Sequence, residues 1–254
     1  MRTFSCCLVL GWLVACGESS TDDDSTSSSS SSTTSSSSGT SVLVDGGDPS
    51  DASDAPYVDD PRTRSAEPGF VTEVVSFEPG ACAGFNADAM PGVVYGAPRG
   101  AGSNMGSTDV VALGTGGSIV LGFAPLSIVD GEGVDFLVFE NVFFAAGNPN
   151  RPFRELAEVS VSEDGETWHT FPCTPDVGAA QCAGATPVYS APTNGIAPND
   201  PSVAGGDGFD LHALGVRRAR YVRIRDLSDQ ACNDGAPNTN GFDLDAIAIV
   251  HGDP

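Results

Sequence analysis

The apolar residues of this chain come in short runs, each stopped within a few positions by Gly, Pro, Asn or Asp. No stretch sustains a 3.6-residue period with helix caps. That pattern excludes a helical bundle or coiled coil, and 31 Gly and 18 Pro in 254 residues agree. The runs read as strands over residues 71–77, 109–113, 118–123, 135–139, 158–162, 167–171, 221–226 and 242–250. Glu158-Val159-Ser160-Val161-Ser162 alternates, with Val facing inward. In Tyr221-Val222-Arg223-Ile224-Arg225 the two Arg face one way. Residues 109–113 and 118–123 flank Gly114-Thr115-Gly116-Gly117, which reads as a hairpin turn. Residues 211–216 offer at most one helical turn. The expected fold is all-β, a two-sheet β-sandwich or jelly roll of about eight strands.

The sandwich does not begin at the first residue. Arg2 precedes an apolar stretch over residues 4–15, broken only by Ser5. A spanning helix needs about 20 apolar residues, so this run fits the core of an export signal instead. It ends in Leu13-Val14-Ala15-Cys16, which resembles the lipobox of bacterial lipoproteins. The resemblance implies a signal peptide over residues 1–15, cleavage before Cys16, lipidation of that Cys and a membrane partner held through the lipid. Gly17 after the Cys resembles sorting to the outer membrane, with display at the cell surface. Residues 16–61 are Ser, Thr and Asp with almost no large apolar side chain. They cannot bury enough surface to offset their conformational entropy, and they read as a disordered tether. The domain then occupies residues 62–254.

Charge narrows the partners. Against 34 Asp and Glu stand 11 basic residues, all Arg, giving a formal charge of −23 and excluding ordinary nucleic-acid binding. Beyond Cys6 and Cys7 in the signal and Cys16, four cysteines remain: Cys82, Cys173, Cys182 and Cys232. An even number in an exported domain suggests two disulfides, with three possible pairings. Cys173 with Cys182 is the local choice, which leaves Cys82 for Cys232. Zinc is the rival reading, but no CxxC pair and no nearby His supports it.

Two segments carry a family resemblance. Val159-Ser160-Val161-Ser162-Glu163-Asp164-Gly165-Glu166-Thr167-Trp168, followed later by Ala219-Arg220-Tyr221-Val222-Arg223-Ile224, resembles the discoidin and galactose-binding-like jelly rolls. Other parts depart from discoidin. Gly116-Gly117-Ser118-Ile119-Val120-Leu121, Phe139-Glu140-Asn141 and the Gly-Phe-Asp-Leu runs at 208–211 and 241–244 are similar instead to uncharacterised bacterial cell-surface proteins with a related jelly roll. The superfamily hosts many functions, so the resemblance speaks to fold more than to ligand.

Acidic residues supply the sharpest chemical expectation. If residues 242–250 form one strand, Phe242, Leu244 and Ala246 share one face, and Asp243 and Asp245 share the other with Ile247 and Ile249. Half-buried carboxylates need an Arg, backbone N–H groups or a cation. Calcium takes about six to eight oxygens, and loops rich in Asp, Asn and Gly supply them. The candidate ligands are Glu140, Asn141, Asp207, Asp210, Asp243 and Asp245. A structural calcium is also what the galactose-binding-like resemblance implies. The competing reading pairs these acids with Arg151, Arg154, Arg217 or Arg223, or makes them turn caps.

Enzyme signatures are weak. His169, His212 and His251 stand in no catalytic motif, and there is no Gly-x-Ser-x-Gly elbow, HExxH, phosphate loop or dinucleotide fingerprint. Glu140 and Asp243 could form a glycosidase pair, yet an acidic domain always offers some pair. A non-catalytic binding module for a glycan is the first expectation, and a protein-interaction or adhesion module the alternative. The aromatic candidates are Tyr95, Phe143, Phe144, Trp168, Tyr189 and Tyr221, with Trp168 expected in the core. The long Pro/Asn/Gly-rich segment over residues 172–206 is a further loop that could carry function.

Overall fold

The computed structural model describes residues 59–232 and 239–254. The expected signal peptide, Cys16 as the expected lipidation site and most of the expected tether lie outside the described residues. Among the described residues there are fifteen short strands, and the helices there are single 3-10 turns. In order these are β1 (Glu73–Glu78), β2 (Val111–Ala112), β3 (Ser118–Gly122), β4 (Ser127–Val129) and β5 (Phe136–Phe139). Next come β6 (Phe143–Phe144), β7 (Pro152–Phe153), β8 (Ala157–Ser162), β9 (His169–Thr170) and β10 (Asp207–Phe209). The last are β11 (Arg218–Ala219), β12 (Tyr221–Asp226), β13 (Asp243–Leu244), β14 (Ala246–Ile249) and β15 (Gly252–Asp253).

One layer is a five-stranded antiparallel sheet in the order β1-β3-β12-β8-β9. Its inner face is strictly alternating: Ile119 and Leu121, Val222 and Ile224, and Val159 and Val161 are all fully buried. The facing layer is assembled from shorter antiparallel pieces, β10-β5-β14, β11-β4-β15 and β13-β2. Ile128, Phe136, Phe209, Leu244 and Ile249 from those pieces join the same hydrophobic core, making the all-β sandwich. Every residue of β5 is buried, because this strand is covered on both sides. Phe136 and Val138 enter the main core, while Leu137 and Phe139 pack into a second cluster with Val188, Ala204, Ala246 and Ala248. Phe136 stacks on Phe209 at 5.2 Å, and Phe171 meets Phe209 edge-on at 4.9 Å.

The structure corrects three sequence expectations. Residues 114–117 do not close a hairpin: β2 pairs with β13, whereas β3 pairs with β1 and β12. Gly114 and Gly116 take positive φ there and carry the chain from one layer to the other. Residues 242–250 are not one strand with two fixed faces. Asp245 interrupts them, its N–H bonding to the Phe139 carbonyl, and the side-chain phase slips by one. Phe242 and Leu244 therefore share the main core with Ile247 and Ile249. Trp168 is not a core residue; it is half-buried, with Arg223 4.5 Å from its ring centre. The 3-10 turn Leu211–Leu214, capped by the Asp210 carboxylate, supplies the single helical turn.

The folded region also takes in a few residues counted with the tether. Asp60 caps the 3-10 turn Pro61–Thr63, and Asp59 pairs with Arg64 and Arg99. Cys82 bonds Cys232 and Cys173 bonds Cys182, the pairing that follows from the local choice. Two disulfides place the domain in an oxidising, extracellular or periplasmic compartment. No helix among the described residues is long and apolar enough to cross a membrane.

The two bridges close loops of very different length, 150 and 9 residues. Chain entropy then assigns about 5 kcal/mol to the long bridge and about 2.5 kcal/mol to the short one. Thermal melts should show a larger loss for Cys82→Ser with Cys232→Ser than for Cys173→Ser with Cys182→Ser. Equal losses would assign the stabilisation to something other than loop closure.

Candidate metal centre

Glu140 follows the last residue of β5, Glu155 lies between β7 and β8, and Asp243 opens β13. The three thus come from separate parts of the sandwich. One carboxylate oxygen from each lies within 4.8 Å of the others, and all three residues are buried. Their exposures are 2% for Glu140 and 6% each for Glu155 and Asp243. Both oxygens of Glu140, Oε2 of Glu155, Oδ1 of Asp243 and Oδ1 of the neighbouring Asn141 are buried without a hydrogen-bond partner. The remaining Glu155 oxygen accepts from the Gly241 N–H at 2.9 Å. A cavity of about 10 Å³, room for about one water-sized sphere, borders Glu140 and Asn141 under residues 100–107. A Cβ at Gly106 would stand 2.4 Å from Asn141 Oδ1, so a side chain at this position would displace the Asn141 amide.

No basic residue answers this charge. The ion pairs of the described residues involve Arg62, Arg64, Arg99, Arg218, Arg225, His212 and His251, none with a member of the trio. Arg151, Arg154, Arg217 and Arg223, the partners expected in the competing reading, form none of them. An uncompensated buried ion carries a penalty of several kcal/mol, against a total stability of about 5–15 kcal/mol for a domain. Three such charges cannot stand together unless protons or a cation neutralise them. Burial, then the charges of Asp243 and Glu155, hold the Glu140 carboxyl well above the usual range, against the smaller pull of the Asn141 backbone N–H. Burial and the Asp243 charge push Glu155 up to about 8, and burial pushes Asp243 up to about 7 against the opposing Asn141 side chain.

The structure brings Glu140, Asn141 and Asp243 together and adds Glu155, which no sequence pattern marks. It places the other three candidates elsewhere. Asp207 is buried but satisfied, accepting from the N–H groups of Gly184 and Ala185 and from the Thr186 hydroxyl at 2.7–2.8 Å. It acts on the trio only through its charge, which raises Glu140 further. Asp210 caps its 3-10 turn and lies near Asp130 and Asp135. That second acidic group differs in kind, because Asp135 is saturated by the N–H groups of Gly131 and Leu211 and by His251 Nδ1. Asp245 accepts from the Arg99 N–H at 2.8 Å, and burial pushes its carboxyl up to about 8.

The ligand set consists of hard oxygens, three carboxylates and one amide carbonyl, with no His or Cys. Such a set suits a hard divalent cation rather than zinc or copper. Without metal, the raised carboxyls bind protons that the unfolded chain releases above its ordinary range. Stability must therefore fall as pH rises from 4.5 towards about 8. In EDTA the melting temperature should be lower at pH 8.5 than at pH 5.5. An EDTA melting temperature that rises over that interval would contradict the description of this centre.

No protein-family model and no curated protein matches the chain. A solved structure of a glycoside hydrolase overlays 54% of this chain and 22% of its own, at 14% identity and a TM-score of 0.25. The chain thus covers less than a quarter of that protein's length.

Proposed function

We propose that this protein is an exported, lipid-anchored surface module that binds calcium structurally through Glu140, Asn141, Glu155 and Asp243, and that recognises a glycan without catalysis. The observation that carries the metal reading is the set of buried carboxylate oxygens gathered within 4.8 Å of one another, several without a hydrogen-bond partner and none with an ion-pair partner among the described residues. Calcium accepts irregular all-oxygen geometry and fits carboxylates drawn from several segments. Magnesium demands near-ideal octahedra and usually keeps several waters.

The same burial argues against glycoside hydrolysis by Glu140 and Asp243. A sugar would have to stand between the two carboxylates, and they are only 2% and 6% exposed. The lipid anchor rests on Leu13-Val14-Ala15-Cys16, and export agrees with the two disulfides. The resemblance to galactose-binding-like jelly rolls supports the glycan reading, and an adhesion module that binds protein is the alternative.

Metal-stripped protein should gain several degrees in melting temperature when calcium is restored at neutral pH. Glu140→Gln should abolish that gain while Asp210→Asn, outside the centre, keeps it. An equal calcium response in both variants would sink the assignment of the ligands. Mass spectrometry of the exported protein should find acyl chains on Cys16, and Cys16→Ala should release the protein from membranes.

A further inference from the structure

We propose that the outer face of the five-stranded sheet is a saccharide-binding groove for a neutral oligosaccharide, with Trp168, Tyr221 and Arg223 at its centre. This rests on the glycan reading above and adds to it a location and a ligand class. The register fixes what the face presents. Across β1, β3, β12 and β8 the outward rows run Glu78, Ser118, Arg225, Glu158; then Ser76, Val120, Arg223, Ser160; then Glu73, Gly122, Tyr221, Ser162. Their inward neighbours Ile119, Leu121, Val222 and Ile224 fill the core, while Ser160 and Ser162 of the outward rows are themselves covered.

A groove of about 440 Å³ lies on this face. Its lining carries two aromatic rings, an aliphatic stripe from Val75 and Val120, hydroxyls and both signs of charge. Val75 is pushed outward by the irregularity between Val74 and Ser76 and is 49% exposed. The turn between β8 and β9 forms a wall. Asp164 clamps it by accepting from the N–H groups of Glu166 and Thr167 at 2.8 and 2.7 Å and from the Ser162 hydroxyl. That wall brings Trp168 against the guanidinium of Arg223. Tyr221 is flanked by Gly165 and Gly122, where an added Cβ would meet its ring at 3.6 Å, so no neighbouring side chain covers it from either position.

Arg223 is held but not neutralised. It stacks on Trp168, donates to Ser160 Oγ at 3.3 Å and forms no ion pair among the described residues. Its neighbour Arg225, by contrast, is paired with Glu158 at 3.1 Å. A pyranose presents a C–H face that packs on aromatic rings and an edge of hydroxyls that both donate and accept. The groove supplies that combination: ring faces, an oriented planar donor in Arg223 and an acceptor in Glu78. The charges lining it are Arg223 against Glu78 and Asp164, on a chain of net charge −23. That balance repels acidic glycans and suits a neutral one.

The chain contains two tryptophans, Trp12 in the signal and Trp168 in the groove. Fluorescence of the exported, calcium-loaded protein therefore reports on this site alone. Titration with neutral gluco-, xylo-, manno- and galacto-oligosaccharides should give a saturable emission change for at least one. Calorimetry with that sugar should show binding weakened about tenfold or more in Trp168→Ala and in Arg223→Ala. Glu78→Gln, at an exposed position with little bearing on folding, should weaken it as well. Melting temperatures confirm that each variant is folded. Sugar binding without an emission change, undiminished in the three variants, would overturn the groove and leave the glycan reading standing. Preference for uronate or sulfated sugars would overturn the neutral class. Folded protein that binds no saccharide, or a protein partner instead, would overturn the glycan reading and the groove with it.

Discussion

Three carboxylates and no base share one interior position, and the small sheets of the sandwich converge there. Glu140 follows β5, Glu155 leads into β8 and Asp243 begins β13. A charge left uncompensated at any of them would cost several kcal/mol, comparable with the stability of the whole domain. A cation at this point would do more than remove that penalty. It would tie the end of a strand of the three-stranded piece, a strand of the two-stranded piece and the approach to the five-stranded sheet. Side-chain packing, the Cys82–Cys232 bridge and single hydrogen bonds such as that from the Phe242 N–H to Asp226 also join these parts.

The basic residues are consistent with that division of labour. The protein has only Arg, and several are committed to stationary roles away from the centre. Arg64 and Arg99 bind Asp59 and Asp109, and Arg218 binds Asp253 near the C-terminal strand. Arg223 differs, because an aromatic ring rather than a carboxylate orients it. Polar chemistry is thus placed twice: inward, where buried carboxylate oxygens stand without hydrogen-bond partners, and outward, where a guanidinium and two rings stand beside hydroxyls. The five-stranded sheet lies between the two, its inward Ile119, Leu121, Val159, Val161, Val222 and Ile224 belonging to the hydrophobic core.

The all-β class was legible because the apolar runs are short and Gly-rich turns interrupt them. Val159 and Val161 fell inward as period-two alternation requires. Alternation failed where a strand changes partner. The phase slip at Asp245 is set by its bond to Phe139, a contact of high sequence separation that no local pattern encodes. The centre was half legible for a similar reason. Glu140, Asn141 and Asp243 sit beside recognisable strands, whereas Glu155 lies in an irregular segment and gains its role only from the fold. Asp207 and Asp245 looked equivalent to Asp243 in sequence, yet backbone N–H groups satisfy them. Trp168 was misplaced because size favours burial, while its position at the start of β9 leaves it on the outer face.

The central claim is that a cation completes the interior of this protein. Isothermal titration of calcium into the metal-stripped chain at pH 7.5 tests it most directly, with Glu155→Gln as comparison. The account predicts one ion per chain, with binding lost or greatly weakened in the variant, since Glu155 supplies an oxygen without any other partner. No calcium binding by a folded, metal-stripped protein, or undiminished binding in the variant, would contradict it.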